Sequence, residues 1–522
     1  MSRGKEARGG TVFTRISSHT IDDREETMQR ALIAASLAIW LVWGIGVPRV
    51  FAADRLSELA QQLESQKQAL EAQKRIIEAL QQEVNTLKQG QTHQQTLERE
   101  VEGLKQAQQE NQKLKREVEQ IKVAATPKFD AGFKNWQPYI RSTDGNFTLN
   151  PVGRIQFDYR NFEDGNRRNL DGTELTNRFL IRRARIGLAG TFYKYFDFFV
   201  EADFGQGASG RDGNVVLTDG FLDIHYWPEL RLRAGQFKVP FGYEELFSDN
   251  NLDLVERSVA DNLVPSRDMG AMVHGSAFDG SVSYALGGFN GSGQNKRDTN
   301  DSKDIVGRLV LAPFKKAELP WLKNLQVGGD VAWGDEDSGQ SLQGKTDAQF
   351  VFFRSIPTRG DRLRYSGEAA YYYGPFTMYG EYIQTREERK GLGTGGSDLR
   401  DLYGRGWYVT MTYMLTGETK VPGQPVIPTR WASPVGPEKG WGAWELAARF
   451  EQLDFRAKDI MGNRVNAVTA GVNWYLTPNV KWMANFVENW FSNERGTPFS
   501  FTNPNNTRTT AWEALTRLQL WF

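Results

Sequence analysis

From about residue 150 to its last residue the chain keeps returning to one pattern, apolar and polar side chains alternating with a period of two. In "VGRIQFDYRNF", Gly153, Ile155, Phe157 and Tyr159 share one face, and Arg154, Gln156, Asp158 and Arg160 share the other. In "RRARIGLAGTF", Ala184, Ile186, Leu188 and Phe192 oppose Arg183 and Arg185. In "YFDFFVEADF", Phe196, Phe198, Val200, Ala202 and Phe204 oppose Asp197, Glu201 and Asp203. The chain ends in the same way, on "ALTRLQLWF": Phe522, Leu520, Leu518, Thr516, Ala514 and Trp512 fall on one side, and Trp521, Gln519, Arg517, Leu515 and Glu513 on the other. Chain ends normally fray, so a strand that runs to the last residue is expected to be held in a sheet.

Alternation alone fits a soluble sandwich as well as a membrane barrel. Three further features favour the barrel. The polar face carries charges of both signs, as a wet lumen would. The apolar face is rich in aromatics near strand ends (Tyr159, Phe192, Trp333, Tyr371, Tyr373, Trp407, Trp474 and Trp482), and aromatic girdles mark membrane interfaces. Tight links such as 193–194, 228–229, 374–375 and 476–479 roughly alternate with long polar ones at 238–269, 335–361, 386–404, 416–440 and 493–509. Short turns at one end and long loops at the other are typical of outer-membrane barrels. Roughly 390 residues at about 24 per strand and link give about 16 strands, the size of a water-filled pore. The fold expected is an all-β transmembrane barrel of about 16 antiparallel strands, with the last strand pairing with the first. A mean hydropathy of −0.55 excludes a polytopic helical membrane protein but not a barrel, whose strands average out.

The N-terminal part reads differently. "RALIAASLAIWLVWGIGVPRVFAAD" has an apolar core over 31–47 with Arg30 before it and small residues before Ala52, which predicts a signal segment over 1–52 cleaved after Ala52. The polar first residues imply that translation starts at Met28. From 53 to 123 the chain is rich in Gln, Glu, Lys and Leu. Leu56, Leu59, Leu63, Leu70, Ile77, Leu80, Val84 and Leu87 fit a and d heptad positions. After Gly90 the frame shifts to Leu97, Leu104, Asn111, Leu114, Val118 and Ile121. This predicts an α-helical coiled coil ahead of the barrel. A linker over 124–150, broken by Pro127, leads into a barrel over 151–522.

Composition excludes several activities. There are no cysteines, so disulfides, zinc-thiolate sites and thiol nucleophiles are out, and four scattered histidines make no metal set. With 64 basic and 64 acidic residues no bulk field draws nucleic acid. No nucleophile elbow, phosphate-binding Gly loop or metal-spaced His motif is present, so no enzyme, cofactor or metal is expected.

"FLIRRARIGLAGTFYKYFDFFVEADFG", "DGFLDIHYW", "LRLRAGQFKVPFGYEEL" and "LVPSRDMGAMVHG" together resemble the phosphate-selective porin O and P family of Gram-negative outer membranes, over about 129–522. The resemblance implies a passive channel for a small or anionic solute, possessed of an outer-membrane lipid environment, a homotrimeric assembly and a periplasmic coiled coil. Phe522, Leu520 and Leu518 match the family's membrane-insertion signal, which implies the barrel-assembly machinery as a partner.

An anion pore needs cations facing its lumen at a narrow point. Strand parity turns Arg154, Arg160, Arg183, Arg185, Arg231, Arg233 and Arg308 inward. Pairing of these arginines with Asp158, Glu201, Asp203 and Asp223 is the competing expectation. The link from Lys238 to Asp268 is the expected constriction loop. It holds Lys238, Arg257 and Arg267 against Glu244, Glu245, Asp249, Asp253, Glu256, Asp261 and Asp268. It is therefore net acidic. Within the resemblance, Lys238 and Arg267 are expected to line the pore. The open alternatives are a general pore, a sugar pore with Trp227, Tyr243 and Trp441 as a stacking path, and a structural anchor that tethers the membrane through the coiled coil.

Overall fold

The structure, a computed structural model, describes residues 48–86, 91–125, 129–163, 175–205, 215–298, 300–340, 342–435, 439–457, 463–493 and 509–522. It divides into two units at residues 126 and 127. The expected signal residues 1–47 lie outside the described residues. The first unit holds helices α1 (Pro48–Thr86) and α2 (Gln91–Ala125). Pro48 opens α1, where its missing N–H costs nothing. Leu63, Leu70, Ile77 and Leu80 are half-buried while their neighbours are exposed. Leu104, Asn111, Leu114 and Val118 repeat this on α2. Each helix thus carries a stripe at heptad spacing.

The second unit starts with a hairpin of β1 (Phe129–Lys134) and β2 (Gln137–Ser142) inside the expected linker. Asn135 and Trp136 both take positive φ, the signature of a two-residue hairpin turn. The following strands are β3 (Phe147–Phe162), β4 (Arg178–Phe192), β5 (Phe196–Asp203), β6 (Val216–Trp227), β7 (Leu230–Lys238), β8 (Arg267–Ala277), β9 (Val282–Phe289), β10 (Asp304–Leu311) and β11 (Gln326–Gln340). Next come the two short strands β12 (Gly344–Lys345) and β13 (Val351–Phe353), which pair only with each other. The wall then resumes with β14 (Pro357–Tyr373), β15 (Phe376–Arg389), β16 (Leu399–Met414), β17 (Ala443–Arg456), β18 (Asn463–Thr477), β19 (Val480–Asn493) and β20 (Thr510–Trp521). Leaving out both small hairpins, these make a closed barrel of 16 antiparallel strands. β20 pairs with β3 from Glu513↔Phe162 to Trp521↔Arg154. Phe522 and Gly153 then exchange both backbone hydrogen bonds at 3.0 Å. No edge is left open on the wall at this closure.

Alternation builds the wall. On β3, Gln156, Asp158 and Arg160 are buried inside, while Ile155 and Phe157 are exposed outside. A bulge at Arg182 interrupts the β3–β4 register, with Gln156 opposite Arg183 and Phe157 opposite Ile181. The extra residue lets the consecutive Arg182 and Arg183 both reach the interior. On β19, Trp482 and Trp490 lie eight residues apart on the outer face. That is about 27 Å along the strand and about 21 Å along the barrel axis at a tilt of about 40°, close to an apolar band of about 25 Å.

The links depart from simple asymmetry at two places. Turns at 193–195, 228–229, 374–375 and 478–479 lie at one end, as expected, and the turn at 278–281 joins them, but so does the long link 312–325 between β10 and β11. The link 415–442, expected among the long loops of the opposite end, joins β16 to β17 at this same short-turn end. It turns Lys420 and Val426 inward, and 239–266 and 342–356 fold into the barrel from the opposite end. Buried aromatics sit between the last two segments and the inner wall. Phe353 stacks on Phe455 at 4.3 Å, and Phe350 meets Phe491 edge-on at 5.6 Å.

Candidate pore constriction

The 239–266 link leaves β7 through Gly242 (φ 84°), makes one turn of helix α3 (Tyr243–Leu246), and crosses the lumen. It ends in a 3-10 turn, Val259–Leu263, packed on β16. Two glycines on β16 make that docking close. A Cβ on Gly406 would stand 2.9 Å from Ala260 Cα, and one on Gly404 2.7 Å from Leu263 Cδ2.

The loop's acidity is explained by what it lies against. Asp249 meets Arg257 at 2.7 Å, Arg185 at 2.9 Å, Arg183 at 3.1 Å and Arg154 at 3.7 Å. Glu256 accepts from Arg182 Nε at 2.9 Å, from Arg517 Nη2 at 3.2 Å and from Arg160. Arg449, fully buried, donates to Glu256 O at 3.0 Å and to Asp347 Oδ2 at 2.8 Å. Burial opposes ionisation of Asp249, but Arg183, Arg257 and Arg185 outweigh it and hold the carboxyl well below its ordinary range. Burial likewise opposes Glu256, and Arg182, Arg160 and Arg517 pull it well below. An acidic loop thus docks on a basic wall, and each charge offsets the desolvation of its partner.

All seven arginines turned inward by strand parity do point to the interior, and all are paired. Arg154 donates to Glu201 at 2.9 Å. Arg160 donates to Asp158 at 2.8 Å, and Arg185 to Asp203 at 2.7 Å. Arg308 lies on Asp330 and Glu368. Lys238 and Arg267, expected to line the passage, instead hold the two ends of the loop. Lys238 Nζ donates to Glu245 O at 2.5 Å and Phe247 O at 2.6 Å, and buried Arg267 pairs with Asp219 at 3.0 Å. Within the loop, Arg257 pairs with Glu245 at 3.2 Å, while Glu244 accepts from Ser258 N at 2.7 Å.

Towards the short-turn end, the adjoining stretch of wall from β3 to β8 is more open. Arg231 and Arg233 keep 29% and 25% of their side-chain surface, against 0% for Arg160, Arg449 and Arg517. They line a cavity of about 370 Å³ with Asn150, Thr191, Asp197 and Asp223. Asp223 accepts from Arg231 at 3.0 Å and from Arg233 at 2.7 Å, with His274 Nε2 3.0 Å away. Arg233 also lies 4.2 Å over the ring of Phe221. Beside it, His225 Nδ1 lies 3.1 Å from Asp197 Oδ2. Four basic groups here share two carboxylates. This grouping is formed by β5, β6, β7 and β8, so His274 carried no signal in sequence. The sugar path does not assemble: Tyr243 is buried against Tyr372, and Trp227 and Trp441 lie on nearly opposite sides of the barrel. Asp330, Glu368 and Glu381 bring carboxylate oxygens within 4.8 Å of one another. Arg308 occupies the place a cation would take there, contacting both Asp330 oxygens and both Glu368 oxygens.

Comparison with known proteins agrees with this architecture. The description of phosphate-selective porin O and P matches residues 150–498. Porin O of Pseudomonas aeruginosa is 25% identical over 395 residues, which cover 67% of this chain and 84% of that protein. An uncharacterized protein of Caulobacter vibrioides is 24% identical over 372 residues, 67% of this chain and 70% of that one. Among solved structures, the in-vitro folded OmpT of Vibrio cholerae is 10% identical with a TM-score of 0.46, covering 72% of this chain and 98% of that one. The outer membrane channel DcaP of Acinetobacter baumannii is 10% identical with a TM-score of 0.45, covering 75% of this chain and all of that one.

Proposed function

The chain belongs to the phosphate-selective porin O and P family, and from that premise we propose that this outer-membrane porin is an anion-preferring diffusion channel. Family and barrel point to a channel rather than an enzyme. The observation that carries the anion reading is the contrast between the loop-covered part of the wall and its short-turn end. The arginines under the loop are buried in ion pairs, whereas Arg231 and Arg233 remain a quarter exposed beside an open cavity. A planar guanidinium binds two oxygens of an oxyanion at once, so phosphate is the solute that this site suits best. The test is reversal potential in planar bilayers under a chloride gradient, followed by addition of phosphate. Anion preference with block of chloride current by phosphate supports the reading. Cation preference without block refutes it.

The half-exposed heptad stripes of α1 and α2 support a coiled coil between copies of the chain, in a homotrimer with the helices in the periplasm. Phe522, Leu520 and Leu518 serve as the insertion signal read by the barrel-assembly machinery.

A further inference from the structure

Two segments meet inside the barrel from opposite ends, and a buried lysine is the charged tie between them. Lys420 stands in the 415–442 link of the short-turn end, is 8% exposed, and reaches into the lumen. Its Nζ donates to Asp253 Oδ1 of the constriction loop at 2.5 Å, to Glu445 Oε1 of β17 at 2.7 Å and to Thr412 Oγ1 of β16 at 3.2 Å. Asn251 Nδ2 donates to Gly423 O at 2.7 Å, a second tie between the same two segments. The far oxygen of Glu445 accepts from Tyr475 at 2.6 Å and Asn473 at 2.8 Å, which fixes the carboxylate that Lys420 must meet. Lys481 of β19 donates to Leu252 O at 2.7 Å, beside Asp253 in sequence. The group therefore holds two ammoniums and two carboxylates, and it is neutral only while Lys420 is present.

We propose that Lys420 is a positioning residue of the pore, which latches the link between β16 and β17 to the constriction loop and keeps the inner mouth from carrying a net negative charge. The assignment deepens the channel reading. Short turns face the periplasm in barrels of this kind, so the latch lies towards the periplasmic side. Burial opposes the charge on Lys420, but Asp253 and Glu445 outweigh it and hold the ammonium above the ordinary lysine range, so the latch stays charged at neutral pH. Without it, Asp253 and Glu445 face Lys481 alone, and the inner mouth gains one negative charge. Its two links lose the contact that keeps them together.

The test compares single-channel conductance and reversal potential for wild type, Lys420→Gln, Lys420→Arg and the Lys420→Gln/Asp253→Asn/Glu445→Gln triple variant, each purified as folded barrel. Lys420→Gln is expected to conduct more, with noisier open states, and to lower the anion-to-cation permeability ratio about fourfold for one unit charge at about 6 Å in 0.1 M salt. Lys420→Arg is expected to keep both wild-type values. The triple variant, which leaves Lys481 as the one charge of the group, is expected to carry the ratio past wild type to the anion side while staying noisy, a split that a merely structural role would not produce. Lys420→Gln with wild-type conductance and reversal potential overturns the proposal. If that variant yields no folded barrel, an Asp253→Cys/Lys420→Cys pair joined through two mixed disulfides by a short bis-methanethiosulfonate replaces it, in a chain that has no other cysteine. Conductance that rises on reduction of the cross-link supports the latch, and conductance that does not change overturns it. The shift is read relative to wild type, so a cation-preferring wild type would sink the anion reading and leave this test intact.

Discussion

Replacing Asp249 by Asn separates the two roles of the constriction loop, its docking and its charge. Asp249 is buried and lies within 4 Å of four guanidiniums. Three of them have a second carboxylate: Arg154 has Glu201, Arg185 has Asp203 and Arg257 has Glu245. Arg183 does not. Its other close contact is the Gln156 side-chain oxygen at 2.9 Å. Asp249→Asn therefore leaves Arg183 as an uncompensated cation and removes one of the loop's two anchors on β4, the other being Glu256 on Arg182. Removing one partner of a buried pair costs about 3–5 kcal/mol, enough to let the loop leave the wall for part of the time. One added charge about 6 Å from a permeant ion contributes about 0.7 kcal/mol in water, screened to about 0.4 kcal/mol at 0.1 M salt. Anions gain and cations lose by that amount, so the permeability ratio should rise about fourfold. Reversal potential under a salt gradient reads the ratio, and open-channel noise reads the loop. The sign of the pH effect follows from the depressed carboxyl of Asp249. Its contribution to docking is complete above the ordinary carboxylate range of about 4 and is lost only as pH falls through the lower folded value. Bathing the wild type at about pH 5 should therefore not reproduce the noise of the variant. An unchanged ratio and unchanged noise in Asp249→Asn would refute the account of the loop as an acidic strap on a basic wall.

Two further outcomes can be checked with the same preparations. Gly153→Val should sharply lower the yield of heat-modifiable, folded barrel on gels, because a Cβ there runs into the Phe522 ring at the closing pair; normal yield would mean that this contact is dispensable. Deleting 53–123 should lower the temperature at which oligomers fall to monomers while leaving conductance per pore unchanged; an unchanged oligomer would count against the coiled coil as a trimer clasp.

The wall of this barrel was legible because a strand writes its two faces at a period of two. Arg154, Gln156, Asp158 and Arg160 could be turned inward without coordinates, and so could Arg231, Arg233 and Arg308. Even the bulge at Arg182 left the neighbouring assignments of Arg183 and Arg185 intact. The nearby partners Asp158, Glu201, Asp203 and Asp223 were legible in the same way. What alternation cannot carry is a partner that arrives from far along the chain. Arg517 meets Asp158 at 2.7 Å across 359 residues, and Lys420 meets Asp253 across 167. No local spacing encodes such a contact. The acidic composition of the constriction loop was visible, and it looked unfavourable for an anion pore. It became intelligible only once the loop was laid on the arginines of β3, β4 and β20.

The misplaced expectation for Lys238 and Arg267 has the same origin. Both sit where β7 and β8 meet the loop, so their positions in sequence say that they are near the constriction. Whether a cation there faces solute or ties down the backbone depends on which acceptors fold over it. Here Lys238 takes the carbonyls of Glu245 and Phe247, and Arg267 takes Asp219. A loop that crosses a lumen must bury its own ends, and the cations nearest those ends are the ones consumed in doing so. The groups left to meet a solute are then those that the loop does not cover. In this barrel they lie at the short-turn end of β5 to β8, with Arg231 and Arg233, and a screen for selectivity residues should begin there rather than at the loop.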